Sequence, residues 1–287
     1  YFIGRIKALV VQRIILADNG SRRADSVLNL NRIARQLSER SGKTIDAVPL
    51  QHADKIPAEA FGDAPGGRPV LTFPDYAANA LTGGVDEFVI LPLFFGHSRA
   101  ISSFIPNTLS KLQELHGKFS WKLADELCPL PRGEPKLARL LYENLEMSAS
   151  ALPGKPDYII LTDHGSPSRQ VNGVRVKLAE QLSLYLSPHV PLLQAAMERR
   201  EGPEYDFNGP LLQDLLEKLG RENGDVNVVI SMLFLSPGRH AGKGGDIAGI
   251  CDQAMQNHPG LSIQISPLVG DSPLLTEILF ARLQSML

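Results

Sequence analysis

The chain has 287 residues, with 29 Lys and Arg against 31 Asp and Glu, a net charge of −2 and 43% hydrophobic residues. That length accommodates two domains of ordinary size; the near-neutral charge argues against a nucleic-acid binder, which carries a basic excess or stripe. No run approaches the roughly 18 apolar residues of a membrane span, and Cys128 and Cys251 are too few for a disulfide framework, which points to reduced thiols in a cytoplasmic chain.

In chain order, hydrophobic periodicity predicts a strand at 12–17, a helix at 24–40, and strands at 45–50 and 87–93. A helix at 104–116, a strand at 119–124 and a helix at 135–147 follow. The small-residue stretch SASALPGKP (148–156) then reads as a linker between domains 1–150 and 151–287. Beyond it come a strand at 157–162, a helix at 169–186, a strand at 190–196 and a helix at 210–221. The last elements are a strand at 226–235, a helix at 245–257, a strand at 261–266 and a helix at 272–286. Continuous apolar runs such as FVILPLFF and NVVISMLFL suit strands buried on both faces, and strand–helix alternation implies parallel sheets. The expected fold class is α/β: two flavodoxin-like lobes, each a four-stranded parallel sheet with helices on both faces.

The two halves repeat one another. RIILADNGSRR (13–23) matches YIILTDHGSPSRQ (158–170), EFVILPLFFGHSRAISSFIP (87–106) matches NVVISMLFLSPGRHAGKGGDI (227–247), and CPLPRGEPKLARLLYENL (128–145) matches SPLVGDSPLLTEILFARL (266–283). Three blocks in the same order indicate an internal duplication. One position differs in chemistry: Asn19 stands where the second copy has His164.

In open α/β sheets, ligands bind beyond the carboxyl ends of the strands. His164 follows the first strand of its half, His240 follows the third, and Glu198 follows the second. Two imidazoles and a carboxylate at three strand tips suit a divalent first-row metal and leave coordination positions open. Glu201 and Glu204, in the same polar turn, are alternatives to Glu198. Asp18 and Asp163 are suited to capping the turns that follow them. Gly165, Ser166 and Ser21 open turns whose backbone N–H groups favour an anion. Met232 and Phe234 are expected in the core. No Walker pattern, Gly-x-Ser-x-Gly elbow or dinucleotide fingerprint is found, so neither a nucleotide nor a serine nucleophile is expected.

A strand ending in His-Gly-Ser, a third strand ending in a Gly-rich loop with His, and a Pro-Leu segment before a Pro-opened final helix resemble the class II tetrapyrrole chelatases, the sirohydrochlorin chelatases of CbiX type. The resemblance spans most of the chain, once per half. It implies ATP-independent insertion of Co²⁺, Fe²⁺ or Ni²⁺ into sirohydrochlorin or a related tetrapyrrole, in a cleft between lobes, by a monomer or homodimer. By position, His164, Glu198 and His240 correspond to the metal ligands. His97 corresponds to the first lobe's third-strand His, a proton acceptor or transient ligand, and Asn19 departs from the pattern. Arg22, Arg99, Arg239 and Lys243 are the candidates for meeting the substrate's carboxylates. Two other readings stand beside it: a catalytically silent relative that carries a tetrapyrrole or metal, and a two-lobed anion receptor. The receptor leaves the histidine placement unexplained.

Overall fold

The computed structural model describes residues 10–62, 70–222 and 224–287; residues 1–9, the start of the opening segment, lie outside that range. The first half builds a sheet from β1 (Gln12–Ala17), β2 (Ile45–Ala47), β3 (Glu87–Pro92) and β4 (Ser120–Leu123). Its helices are α1 (Ala24–Ser41), α2 (Phe73–Thr82), α3 (Ile105–His116) and α4 (Pro135–Ala149). The second half repeats the plan with β5 (Tyr158–Asp163), α5 (Arg169–Ser183), β6 (Leu192–Ala196) and α6 (Leu212–Glu222). It closes with β7 (Val226–Met232), α7 (Asp246–Asn257), β8 (Leu261–Ile265) and α8 (Pro273–Gln284).

Both sheets are parallel, with strand orders β2-β1-β3-β4 and β6-β5-β7-β8. The expected two-lobed α/β fold is therefore the observed one. Parallel sheets need cover on both faces, which is why Ile14 to Ala17, Phe88 to Leu91 and Val228 to Ile230 are all buried. In this order the chain reverses direction between β1 and β3, and again between β5 and β7. Loops that leave adjacent strands toward opposite faces open a crevice at those points. The residues after β5 and β7 are His164 and the loop that carries His240.

Helix boundaries follow from local chemistry. In α1 the buried residues Val27, Leu30, Ile33, Ala34 and Leu37 fall on one stripe. The helix ends at Gly42, whose φ of 68° is left-handed and whose N–H returns to the Ser38 carbonyl. Pro135 and Pro273 open α4 and α8, and the side chains of Glu134 and Ser272 accept from Lys136 N–H and Leu274 N–H respectively. The periodicity did not predict α2. Its Phe-Pro-Asp opening reads as a turn, but Phe73 and Ala77 are fully buried and anchor it to the sheet.

The halves exchange their last helices. Helix α4 packs against α5 and β7 of the second lobe, and α8 packs against α1 and β3 of the first. Asn144 Nδ2 and Ser148 Oγ of α4 donate to the carbonyls of Pro267 and Ile265. Reciprocally, Arg282 of α8 donates to the carbonyls of Glu126 and Leu127 and to the Glu134 carboxylate. One continuous hydrophobic core, including Leu16, Leu91, Leu141, Leu161, Leu178 and Leu279, therefore spans both halves. Any cleft between the lobes is framed by a shared core.

Candidate active site

Residues 163–166 set the second lobe's rim. The Asp163 carboxylate accepts from Gly165 N–H at 3.1 Å, and the Ser166 hydroxyl accepts from Ser168 N–H at 3.1 Å, so two short turns lead from β5 into α5. Gly165 has φ 89°, and a Cβ there would overlap the Glu198 carbonyl oxygen. Glycine is thus required for the strand-two loop to lie against the strand-one loop. The loops are also tied by Met197 N–H to Asp163 O at 2.8 Å and Glu198 N–H to His164 O at 3.1 Å.

That contact brings the candidate ligands together. His164 Nε2 lies 3.1 Å from Glu198 Oε1, and the His164 and His240 rings meet edge to face with centroids 4.7 Å apart. Among the three acidic candidates, Glu198 is the one against His164; Glu204 folds back toward Gly202. Among the described residues, no group of three or more His, Cys, Asp and Glu side chains is set to hold a metal. The geometry explains this: the Nε2 of His164 faces Glu198, so the trio meets in pairs instead of around one point.

His240 is held from behind. Its Nδ1 lies 2.7 Å from Asp246 Oδ2 at the first residue of α7. In a neutral imidazole this contact puts the proton on Nδ1 and leaves Nε2 as the side able to bind a cation. The sequence reading missed Asp246. The signal was a carboxylate at a helix N-terminus next to a His-containing loop, a common partner for a ligating imidazole.

Beneath the rim, Asp163 is anchored by Arg175, whose side chain is 2% exposed and ion-paired to it. Arg175 also donates to the carbonyls of Ala195 and Asn208, tying β5, β6 and the following loop. Burial pushes the Asp163 carboxyl up, and the guanidinium opposes that shift. A charged residue in mid-helix does not look like core in a sequence, so Arg175 escaped notice too.

The first lobe has the same backbone with other side chains. Gly20 has φ 80°, and a Cβ on it would overlap the Gln51 carbonyl oxygen, as Gly165 does with Glu198. Leu50 N–H reaches Asp18 O at 2.8 Å, as Met197 reaches Asp163. Gln51 is therefore the positional counterpart of Glu198, and Leu30, at the same place in α1 as Arg175 in α5, is the counterpart of the guanidinium. Asp18 still accepts from Gly20 N–H at 2.9 Å, but burial without a cation beside it pushes its carboxyl up to about 6. Ser21 Oγ accepts from Arg23 N–H at 3.1 Å.

His97 is not close kin to His240. The loop after β3 runs from Pro92 to Ala100, whereas the loop after β7 runs to Asp246 and carries His240 further out. His97 Nδ1 instead lies 3.6 Å from the Glu126 carboxylate, which is largely buried. Among the basic candidates, Arg239 is 81% exposed beside Asp246, and Arg22 is exposed. Lys243 borders a cavity of about 440 Å³ with Met232, Leu268 and Asp271, and Arg99 borders one with Asn19 and Gln51. Lys243 and Arg99 thus border different cavities. Met232 is core, as expected.

A pocket of about 320 Å³ straddles the lobes, with Leu93, Phe94 and Phe95 from the first and Val171, Leu235 and Ser236 from the second. Asp18, Asn19 and Gly20 border it on the first-lobe side. The Gly96 backbone abuts Val174, and Asn29 Nδ2 donates to the Leu235 carbonyl and the Ser236 hydroxyl across the same junction.

Two four-stranded parallel sheets make a two-lobed α/β fold similar to that of solved chelatases. The CbiX family model matches residues 158–286, the span of the second lobe. SirB from Bacillus subtilis, solved with Fe³⁺, is similar at a TM-score of 0.68 and 12% identity, covering 96% of this chain and 95% of that one. SirB from Bacillus subtilis subspecies spizizenii, in complex with cobalt, gives 0.65 at 12% identity with the same coverage. CbiX, described as the terminal enzyme of siroheme biosynthesis in denitrifying bacteria, gives 0.58 at 16% identity, covering 96% and 99%. At these identities the solved structures establish the fold. No curated protein sequence matches the chain. Among the described residues, no helix is long and apolar enough to cross a membrane.

Proposed function

We propose that the chain inserts a divalent metal, Co²⁺, Fe²⁺ or Ni²⁺, into sirohydrochlorin or a related tetrapyrrole without ATP. The observation that carries this reading is the meeting of His164, Glu198 and His240 at the carboxyl ends of β5, β6 and β7. An arriving cation separates the His164–Glu198 pair and takes both, with the free Nε2 of His240 as the third ligand. Asp246 fixes the ring of His240 for that purpose. Three ligands leave positions for the macrocycle nitrogens.

The macrocycle lies against the apolar wall of the inter-lobe pocket. Insertion exchanges M²⁺ for two N–H protons, so a base must stand near the ring. His97, backed by the buried Glu126 carboxylate, is suited to accept one of them. A second reading, a silent tetrapyrrole carrier, is favoured by the amides Asn19 and Gln51 where a second metal station would stand.

The test is an anaerobic absorbance assay with sirohydrochlorin and each metal, comparing the protein, His164→Ala and a protein-free control. Acceleration lost in the variant is expected. Binding shifts without acceleration would move the assignment to the carrier, and equal rates in the protein and the control would overturn the chelatase.

A further inference from the structure

We infer that the first lobe's counterpart of the metal station is an anion site that takes the peripheral carboxylates of a planar tetrapyrrole; this rests on the reading above. A pocket of about 480 Å³ lies at the carboxyl end of the first sheet and is bordered by Asn19, Gln51, Arg99, Asn107, Thr108 and Lys111. No carboxylate borders it. Its second-lobe counterpart is lined by His164 and Glu198, together with Arg199 and Arg200. Replacing imidazole and carboxylate by two amides turns a cation station into one that offers N–H donors and no negative charge.

The charges agree. Arg99 and Lys111 are exposed and have no ion-pair partner among the described residues, and none of the six side chains makes a hydrogen bond there. Two cations without a carboxylate partner on the border of one pocket favour oxyanions there, and Arg offers a planar fork that matches a carboxylate. The ligand's other half follows from position. Asn19 borders both this pocket and the inter-lobe pocket walled by Leu93, Phe94, Phe95 and Val171. An apolar slot that adjoins a cationic pocket fits a flat apolar ring with acidic arms. In such a pose the first lobe holds the ring by its edge while the second holds the metal.

The probe is uroporphyrin, a fluorescent octacarboxylate that needs no metal, titrated anaerobically into the full chain. The affinity of the Arg99→Gln/Lys111→Gln double variant should fall by roughly tenfold or more, and that of the wild type should fall with added salt. A cationic tetra(N-methylpyridyl)porphyrin should lose no affinity in the variant, and citrate at equal concentration should not displace uroporphyrin. Both substitutions are exposed, and circular dichroism checks the fold. Unchanged uroporphyrin affinity overturns the inference. Displacement by citrate overturns the tetrapyrrole assignment in favour of a free polycarboxylate. Metal insertion is scored separately. Tight, variant-sensitive uroporphyrin binding without insertion would sink the chelatase reading and keep the anion site, while insertion indifferent to the double variant would do the reverse.

Discussion

The two lobes share a backbone and differ in what it carries. Each has an Asp closing a turn onto a left-handed glycine, and in each that glycine lies against the carbonyl of the strand-two loop. Around this frame the second lobe has His164, Glu198 and Arg175, where the first has Asn19, Gln51 and Leu30. The frame is dictated by sterics that any functional version must respect, so it persists where the chemistry does not. On the function proposed above, the side chains decide which lobe handles a cation.

The sharpest way to break the comparison is to give the second lobe the first lobe's interior. Arg175→Leu leaves Asp163 buried without its partner and frees the carbonyls of Ala195 and Asn208. Removing one member of a buried ion pair costs on the order of 3–5 kcal/mol, which should lower Tm by roughly 10 °C. Thermal unfolding monitored by circular dichroism checks this. An unchanged Tm would mean that the guanidinium stabilises nothing and that the difference between the lobes is neutral drift.

A second conversion acts on chemistry alone. His164→Asn with Glu198→Gln makes the rim an amide pair like that of the first lobe. Both side chains are about half exposed, 47% and 59%, so the fold should hold while insertion falls at least about a hundredfold. The reverse pair, Asn19→His with Gln51→Glu, should yield weak cobalt binding at most, because His97 lies on a shorter loop than His240. Equilibrium dialysis with Co²⁺ measures both. Strong binding by the reverse pair would show that only two side chains separate the lobes.

Next in size is the support behind His240. Asp246→Ala should lower cobalt affinity roughly tenfold, read from the metal's d–d absorption. The ¹⁵N spectrum of His240 should move away from the Nδ1–H tautomer. Asp246→Glu should recover part of both. A loss of affinity with an unchanged tautomer would reduce Asp246 to a helix residue.

The sheets, the duplication and the strand-tip histidines were legible in the sequence because buried parallel strands are continuous apolar runs and the repeat doubles the signal. What escaped was what arises only in three dimensions. The exchange of α4 and α8 leaves no mark on periodicity, since each helix still needs one apolar stripe whichever sheet it covers. Arg175 and Gln51 were illegible for the opposite reason. Each looks like a surface residue and is explained only by what lies across from it, Asp163 in one case and Gly20 in the other. His97 was matched to His240 by spacing, which cannot see that the second loop is longer.

The smallest expected effect probes what the missing guanidinium left behind. Asp18 keeps its hydrogen bond from Gly20 N–H, but burial beside Leu30 pushes its carboxyl up to about 6, from an ordinary value near 3.8. A carboxyl raised on folding binds its proton more tightly in the folded state. Its contribution is most favourable below about 4 and is lost as pH rises through about 6, so at neutral pH it is a liability. Asp18→Asn retains the acceptor oxygen and removes the charge. The variant should therefore be more stable than wild type by up to about 1 kcal/mol at pH 7.5, after allowing for partial solvent screening. The gain should fall to about a third of that near pH 4.5 and vanish only below the ordinary carboxylate value. Paired denaturant titrations at the two pH values decide it. A gain of equal size at both would mean that charge is not the cause, whereas a loss at pH 7.5 would mean that the first lobe still uses an ionised Asp18, despite having given up its partner.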